Sequence, residues 1–597
     1  MMAHLLTIMA PLEFTPMSFG EFDRDEFRSF FDEEELDIEK QIEKLRKCVE
    51  NRNRRELLEK ITIGTYLTGN ASALEIRDDM VGLPPALAEF VIGHIIVANN
   101  IDDRNPSYKM LARAANRVGE AYQFSQVLEG DPDEWTDEEK YRHDVESALV
   151  LREIAAGRHY FWEQPIEAAR RAYQPHDQAM RDHFGFTIDE AISFQRYVEE
   201  VLHVAFQKAM EPVHDADIDL YSDMDSLDAF QEFMKDKGRP PRFSELPDHK
   251  EDVERIEQIH ELMGDRTAYL WVSESSLRNC LPEDKDEDKF RTFLNRFSVE
   301  LGEWEHPMGP DFWSIDDLNP LHLHPYIRCE GQILLPYVAV PRRALMTTFY
   351  YDLIQIDSYK GEFGNHWGKY IEDWAYDSLL TLFSEEDILL NPVYETDNGV
   401  TNEFTDIAVN TGEAIFLIEC KAAKLNIDTR SGDFRALKRD LEDGVGKATA
   451  QIEECLSTLR SAEDDFEIED NGQSWGINAE DYQNIIPVVV LGEQYDAIST
   501  NFYDIATDDV PFTPYVVNVM NIDIICEALT RSDYFTQYVA DRINQVRNNE
   551  FLSADEVDYL GLFIDGKVGF PELPEQRTQL RDFSHQVRRA IDDKYGP

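Results

Sequence analysis

The chain has 597 residues, too many for one hydrophobic core, and that length points to about three or four domains. Its 119 Asp and Glu against 58 Lys and Arg leave a net charge of -61, while 42% hydrophobic residues exclude a disordered polyanion. The six cysteines, Cys48, Cys280, Cys329, Cys420, Cys455 and Cys526, form no CxxC pair, so neither a zinc knuckle nor a disulfide framework is expected, and a reduced cytoplasm is.

The acids are spread through every region instead of forming one tail. A nucleic-acid mimic would concentrate its charge on a small domain; dispersal over this length fits a halophilic protein kept hydrated in a salt-saturated cytoplasm. A low isoelectric point then does not exclude a nucleic-acid substrate, because concentrated salt screens phosphate repulsion. The apolar run from Leu83 to Ala98 contains Glu89 and His94 and is too short to span a bilayer, so no membrane partner is expected. Met1 to Leu12 has no Lys or Arg before its apolar stretch and does not read as a signal peptide.

In chain order, residues 21–208 read as successive helices. Apolar residues recur at three-to-four spacing over 33–50, 54–67, 83–99, 107–125, 137–156 and 188–210. Residues 1–215 are therefore expected to be an all-helical domain that binds a protein partner or positions a substrate. Residues 216–358 read as a mixed α/β linker region. It has helices near 224–237 and 286–297, a β-hairpin turning at Glu330-Gly331 and a further helix over 341–358. From Gly364 the pattern changes. An amphipathic helix over 366–383 precedes strands at 388–394, 403–410 and 414–420, the last two joined by a tight turn at Thr411-Gly412-Glu413. A long helix over 435–459 and very apolar strands at 485–491 and 515–519 follow. The order α-β-β-β-α-β predicts a mixed central sheet flanked by helices over 359–530, with a helical extension over 531–597.

Chemistry is concentrated in Thr405-Asp406-Ile407 and Ile418-Glu419-Cys420-Lys421. Residues two apart on a strand share a face, so Glu419 and Lys421 point the same way beyond the apolar stem Ile415, Leu417. Pairing through the Gly412 turn would bring Asp406 beside Glu419. Two close carboxylates invite a hard cation such as Mg²⁺, and the lysine is a compact positive charge that can act on an attacking water. In so acidic a chain the spacing alone is common. It recurs at Glu138/Lys140, Asp248/Lys250, Glu283/Lys285, Glu287/Lys289 and Asp565/Lys567. Glu419/Lys421 differs in closing an apolar strand that follows a second apolar strand bearing an acid. A surface salt bridge on an edge strand is the competing structural reading.

Ile371-Glu372 on a helix, Thr405-Asp406, Glu419-Cys420-Lys421, and a following helix with Lys447-Ala448 and Gln451 together resemble the PD-(D/E)XK nuclease superfamily. That superfamily includes many restriction endonucleases and Holliday-junction resolvases. The resemblance covers about residues 360–530, and Thr405 stands where the family's proline is usual. It implies a restriction-endonuclease-like α/β core and hydrolysis of phosphodiesters, with DNA as the expected substrate and defence against foreign DNA or repair as the setting. It further implies that Asp406, Glu419 and the Cys420 carbonyl ligate Mg²⁺ or Mn²⁺, that Lys421 is the catalytic lysine, that Glu372 orients water or a second metal, and that Gln451 lies near the phosphate. RNA cleavage and a non-catalytic scaffold that kept the nuclease fold are the alternatives. His322 and His324 with Cys329 lack a second ligand cluster and read as a loop before the hairpin. Serine-hydrolase and Rossmann fingerprints and a P-loop are absent from the sequence.

Overall fold

A computed structural model of the protein describes residues 37–50, 53–68, 74–77, 80–82, 85–98, 163–215, 269–303, 319–336, 340–396, 398–422, 434–461, 466–477, 485–492, 511–548, 551–552, 555–566 and 578–579, with single positions between 110 and 136 and at 587 and 591. The helices expected over 137–156 and 224–237 lie outside the described residues. The chain divides into two compact units. One comprises residues 1–15, 19–134 and 176–352; the other comprises 16–18, 135–175 and 353–597.

The first unit is helical where its N-terminal residues are described, with helices Ile38–Glu50, Arg54–Thr68, Pro85–Val97 and Ile188–Asp215. The expectation of an all-helical N-terminal half needs one correction: Leu74–Arg77 pairs antiparallel with Met80–Gly82. Neither segment alternates apolar and polar residues long enough to signal a strand. The expected hairpin forms from Tyr326–Cys329 and Gln332–Leu334, with Glu330 at φ 51° and Gly331 at φ 73°, the two left-handed positions that a tight hairpin turn needs. Ser298–Glu300 and Val272–Ser273 complete that four-stranded sheet. Phe186, Phe194, Phe293, Phe297 and Phe349 pack ring against ring in the core of this unit. A buried ion pair joins Arg342 to Glu199 at 2.9 Å.

The second unit is built on a mixed sheet. Its elements, in chain order, are α1 (Gln164–Tyr173), α2 (Lys360–Leu379), β1 (Ile388–Leu390), β2 (Val393–Glu395), β3 (Thr401–Glu403), β4 (Ile407–Asn410) and β5 (Ile415–Lys421). Then come α3 (Phe434–Leu441), a π-helical turn (Glu442–Gly446), α4 (Lys447–Ser461), β6 (Phe466–Asp470), β7 (Gln473–Ile477), β8 (Ile485–Leu491) and β9 (Tyr515–Asn518). The last helices are α5 (Val519–Leu529), α6 (Ser532–Asn548) and α7 (Glu556–Asp565). The five-stranded sheet has the order β9-β8-β5-β4-β1. β4 runs antiparallel to both β1 and β5, whereas β8 and β9 continue parallel to β5. β5 and β8 are almost wholly apolar because a strand between two parallel or mixed neighbours is covered on both faces.

Side-chain alternation divides the sheet's faces. Ile415 and Leu417 join Leu389, Ala408, Val489 and Leu491 against Leu437, Leu441, Ala448, Ile452 and Leu459 of α3 and α4. Phe416, one residue out of phase, packs on Phe535 of α6 on the other face, with ring centroids 5.5 Å apart. The long helix expected over 435–459 is interrupted by the π-helical turn, which holds Gly444 and Gly446 and ends where α4 begins.

Two strands expected to be continuous are instead each broken into two. The segment 388–394 divides at Asn391-Pro392 into β1 and β2, and 403–410 divides at Phe404–Asp406 into β3 and β4. β2 and β3 leave the five-stranded sheet and join β6 and β7 in a second sheet of order β7-β6-β2-β3. The pairing remains continuous across the corner: Leu390 faces Ile407 and Val393 faces Glu403, so Asn391 and Pro392 oppose three residues, Phe404 to Asp406. That extra residue is a β-bulge, which bends a strand and re-aims its side chains.

Candidate active site

Asp406 occupies the last position of the bulge, immediately before β4, and Glu419 and Lys421 occupy the end of β5. The register Ile407 to Ile418 sets Asp406 next to Glu419 across the two strands. The parity of β5 sends Glu419 and Lys421 to the face already taken by Ile415 and Leu417. Lys421 Nζ donates to Glu419 Oε2 at 3.0 Å and lies 3.9 Å from Asp406 Oδ2. The backbone N–H of Cys420 donates to Asp406 Oδ2 at 2.6 Å. On a strand a residue's N–H and C=O point to the same side, so the Cys420 carbonyl also faces the Asp406 strand.

Burial makes this cluster costly for negative charge. The Glu419 side chain is 2% exposed, and its carboxyl is pushed up to about 7, first by burial and then by the charge of Asp406; Lys421 opposes both. Thr405, itself buried, holds the strand ends together, its hydroxyl donating to the Ile418 carbonyl at 3.0 Å. The Cys420 and Cys455 thiols are raised by burial, the latter to about 12, and the Cys455 thiol donates to the Phe404 carbonyl. Neither is a thiolate at neutral pH, so neither serves as a nucleophile.

Glu372 comes from the middle of α2. Its half-buried carboxyl is raised by burial and then by the charge of Asp406, while the nearby Asn391 side chain acts the other way. Helix, bulge and strand thus bring Glu372, Asp406, Glu419 and Lys421 into one electrostatic group. Gln451 is exposed on α4 and, with Glu454, Cys455 and Thr458 of the same helical face, lines a cleft of about 340 Å³. Tyr394, Asn402 and Glu403 of the second sheet, Phe404 and Thr405 of the bulge, and the acids Asp406 and Glu419 complete its lining.

The sequence reading missed Asn391, Glu403 and Glu454. Glu403 is a surface residue whose carboxyl is nevertheless raised by partial desolvation and by Asp406. Only the bulge brings it to the cleft, and no spacing rule signals it. Glu454 stands three residues after Gln451, and that helical periodicity was a usable signal. His322 and His324 have local partners in the first unit: His322 Nε2 is 3.0 Å from Glu89 Oε2, and His324 Nδ1 is 2.9 Å from the Arg296 carbonyl.

Among the described residues no three His, Cys, Asp or Glu side chains are grouped as ligands of a metal ion. The donors that Asp406, Glu419 and the Cys420 carbonyl supply are all oxygens, two of them from carboxylates whose mutual repulsion a cation would relieve. That set fits Mg²⁺, which takes one or two carboxylates and keeps several waters. Among the described residues no helix is long and apolar enough to cross a membrane. Comparisons with protein families, with curated proteins and with solved structures find no match for this chain.

Proposed function

We propose that the second unit is a metal-dependent nuclease with a PD-(D/E)XK-like, restriction-endonuclease-like core, hydrolysing phosphodiester bonds in DNA. The observation that carries this reading is the meeting of Asp406, Glu419 and Lys421 at the ends of two adjacent strands, with Lys421 Nζ 3.0 Å from Glu419 and 3.9 Å from Asp406 and both carboxylates lining a cleft. The order α2-β1-β4-β5-α4-β8 supports it, being the α-β-β-β-α-β sequence that such a core requires. A surface salt bridge, the bland alternative, is disfavoured by the burial of Glu419: a carboxylate taken out of water beside a second one costs stability, which a structural ion pair would avoid.

Asp406 and Glu419, with the Cys420 carbonyl, would hold the Mg²⁺ or Mn²⁺. Once bound, that ion supplies a lowered pKa for water and neutralisation of the charge that develops on phosphate. Lys421, held between both carboxylates, presents a positive charge at the place where the phosphate and its attacking water must sit. Its three donors orient that water and stabilise the pentavalent phosphorus. Glu372, whose carboxyl feels the charge of Asp406, would orient water or a second metal. Gln451 offers an amide to a phosphate oxygen from α4.

The cleft lining contains Glu403 and Glu454 and no Lys or Arg. A polyanion therefore enters with cations, which fits a chain carrying a net charge of -61 and a cytoplasm rich in K⁺. The helical N-terminal region would select the substrate or bind a protein partner.

The test uses the full chain in molar KCl with Mg²⁺ or Mn²⁺ on linear, supercoiled and branched DNA and on RNA, beside Lys421→Ala and Asp406→Ala. The wild type is expected to cut DNA, and each variant to lose about 10²–10⁴-fold in rate. Variants that cut as fast as the wild type would sink the mechanism. A wild type that cuts nothing and binds no divalent cation by calorimetry would make the unit a scaffold, and cleavage of RNA alone would make it a ribonuclease.

A further inference from the structure

We propose that the exposed basic stripe of α3, Lys438 and Arg439 with Arg435 one turn before them, holds the phosphate backbone of duplex DNA. The nuclease reading supplies only the choice of DNA as the polyanion.

The stripe departs from the chain around it. Acids outnumber bases 119 to 58 over the whole sequence, yet from Lys421 to Arg439 six Lys and Arg stand against only Asp428 and Asp433. On α3 the pattern is amphipathic. Ala436, Leu437, Asp440 and Leu441 are buried, and Arg435, Lys438 and Arg439 are exposed. Residues three and four apart share a helix face, so the three cations lie side by side, and like charges at that spacing destabilise a helix.

Lys438 and Arg439 also lack the usual counter-charge. Other exposed bases of this unit are paired: Lys369 with Asp373 at 3.0 Å, Lys447 with Asp443 at 2.7 Å and Arg531 with Asp533 at 2.5 Å. Among the described residues no carboxylate forms an ion pair with Lys438 or Arg439. Glu442 has the four-residue spacing to reach Lys438, but the helix changes to π geometry there and the pair does not form. Adjacent cations without an acid, in a chain so rich in acids, are suited to an anion from outside.

The stripe belongs to the layer that carries the chemistry. Leu437 and Leu441 of α3 and Ala448 and Ile452 of α4 cover Ile415 and Leu417, on the sheet face to which Glu419 and Lys421 project. α4 in turn lines the cleft, whose own lining has no Lys or Arg. Anchoring a polyanion therefore falls to residues outside the cleft. Contacts to the phosphate backbone set the position of a duplex without reading its sequence, and a lysine point charge and an arginine fork both serve for that. An acidic protein segment would feel the same charges. It would, however, seek an apolar centre, and the exposed residues of the stripe are all charged.

The test measures affinity of the full chain for a fluorescent DNA duplex by anisotropy, with Ca²⁺ in place of Mg²⁺, at KCl from about 0.3 to about 1 M. Both residues are exposed, so Lys438→Gln/Arg439→Gln is expected to fold as the wild type does. It is expected to bind about tenfold more weakly at the low end of that range and nearly as well at the high end. The slope of log affinity against log salt should fall by about 2, since each phosphate contact contributes about 0.9. Arg531→Gln removes a paired cation just before α6, the helix on the other face of the sheet, and should leave the slope unchanged.

An unchanged slope in the double variant, or an equal loss of slope in Arg531→Gln, would overturn the assignment. So would a wild type that binds no duplex, which would leave the stripe to an acidic protein. Binding with the expected change of slope but no cleavage in Mg²⁺ would defeat the nuclease reading and keep the stripe. Cleavage with an unchanged slope would do the reverse.

Discussion

Replacing Glu419 with Gln is expected to make the protein more stable at alkaline pH while abolishing its activity. Glu419 is 2% exposed, and its carboxyl is raised from 4.5 to about 7, so in the folded state it binds a proton more tightly than in the unfolded chain. Below pH 4.5 both states carry the proton and the group has no effect on stability. Between pH 4.5 and about 7 the unfolded chain has lost a proton that the folded state keeps, so stability falls across that window and levels off above 7. At roughly 1.4 kcal/mol per pH unit the loss amounts to about 3 kcal/mol by pH 8. Glu419→Gln keeps the shape and an acceptor for Lys421 but never ionises. The variant is therefore expected to exceed the wild type by about 1–3 kcal/mol at pH 8, with the advantage shrinking toward pH 4.5. The measurement is urea unfolding across pH in constant molar KCl, followed on the transition of the second unit. Adding Mg²⁺ at pH 8 should raise wild-type stability and leave the variant unchanged, since only a site that binds the ion gains from it. A variant less stable than the wild type at pH 8, or a difference that does not change with pH, would refute the view that Glu419 is a carboxylate held at a cost for function.

Other consequences follow from the packing around the site. Gly492 follows β8, and a Cβ there would overlap Ile371 Cδ1, beside Glu372. Gly492→Ala is expected to destabilise the second unit by about 1–3 kcal/mol through overpacking, read as a lower urea midpoint with an unchanged slope. Arg542 and Glu556 form a buried pair at 2.8 Å, with the Tyr515 and Tyr538 hydroxyls also on Glu556 and the Arg542 guanidinium 3.6 Å from the Tyr559 ring centre. Arg542→Met strands the Glu556 charge and is expected to cost about 3–5 kcal/mol, whereas the pair Arg542→Met/Glu556→Gln should recover much of it. Lowering KCl from molar to about 0.1 M should reduce the thermal midpoint of the wild type, because a net charge of -61 repels itself most where the Debye length is about 10 Å. A midpoint insensitive to salt would remove the halophilic reading.

The parts of the second unit that were legible in the sequence are those whose identity is set by burial alone. β5 and β8 are continuous apolar runs because both faces of the central strands are covered, and their ends were read to within a residue. The pairing of Asp406 with Glu419 followed from the short Gly412 turn and the two-residue period. β6 and β7 were missed although Phe466 and Ile468 alternate with Glu467 and Glu469, and Asn471-Gly472, at φ 47° and 84°, is a strong hairpin turn signal. The alternation lasts only two periods, too short to stand out beside the long apolar runs of the central sheet.

The bulge was illegible for a different reason. Phe404, Ile407 and Val409 read as one strand, since an apolar run does not reveal where its pairing slips by one residue. The slip can be seen only by counting from both sides, Leu390 to Ile407 and Val393 to Glu403. Yet the slip decides the chemistry. Without the extra residue, β3 would continue β4 in the five-stranded sheet, and Glu403 and Tyr394 would not wall a cleft over Asp406. The acids and the lysine could be found from spacing because strands impose a period. The cleft that gives them something to act on depends on one bulge, and a bulge has no period to find.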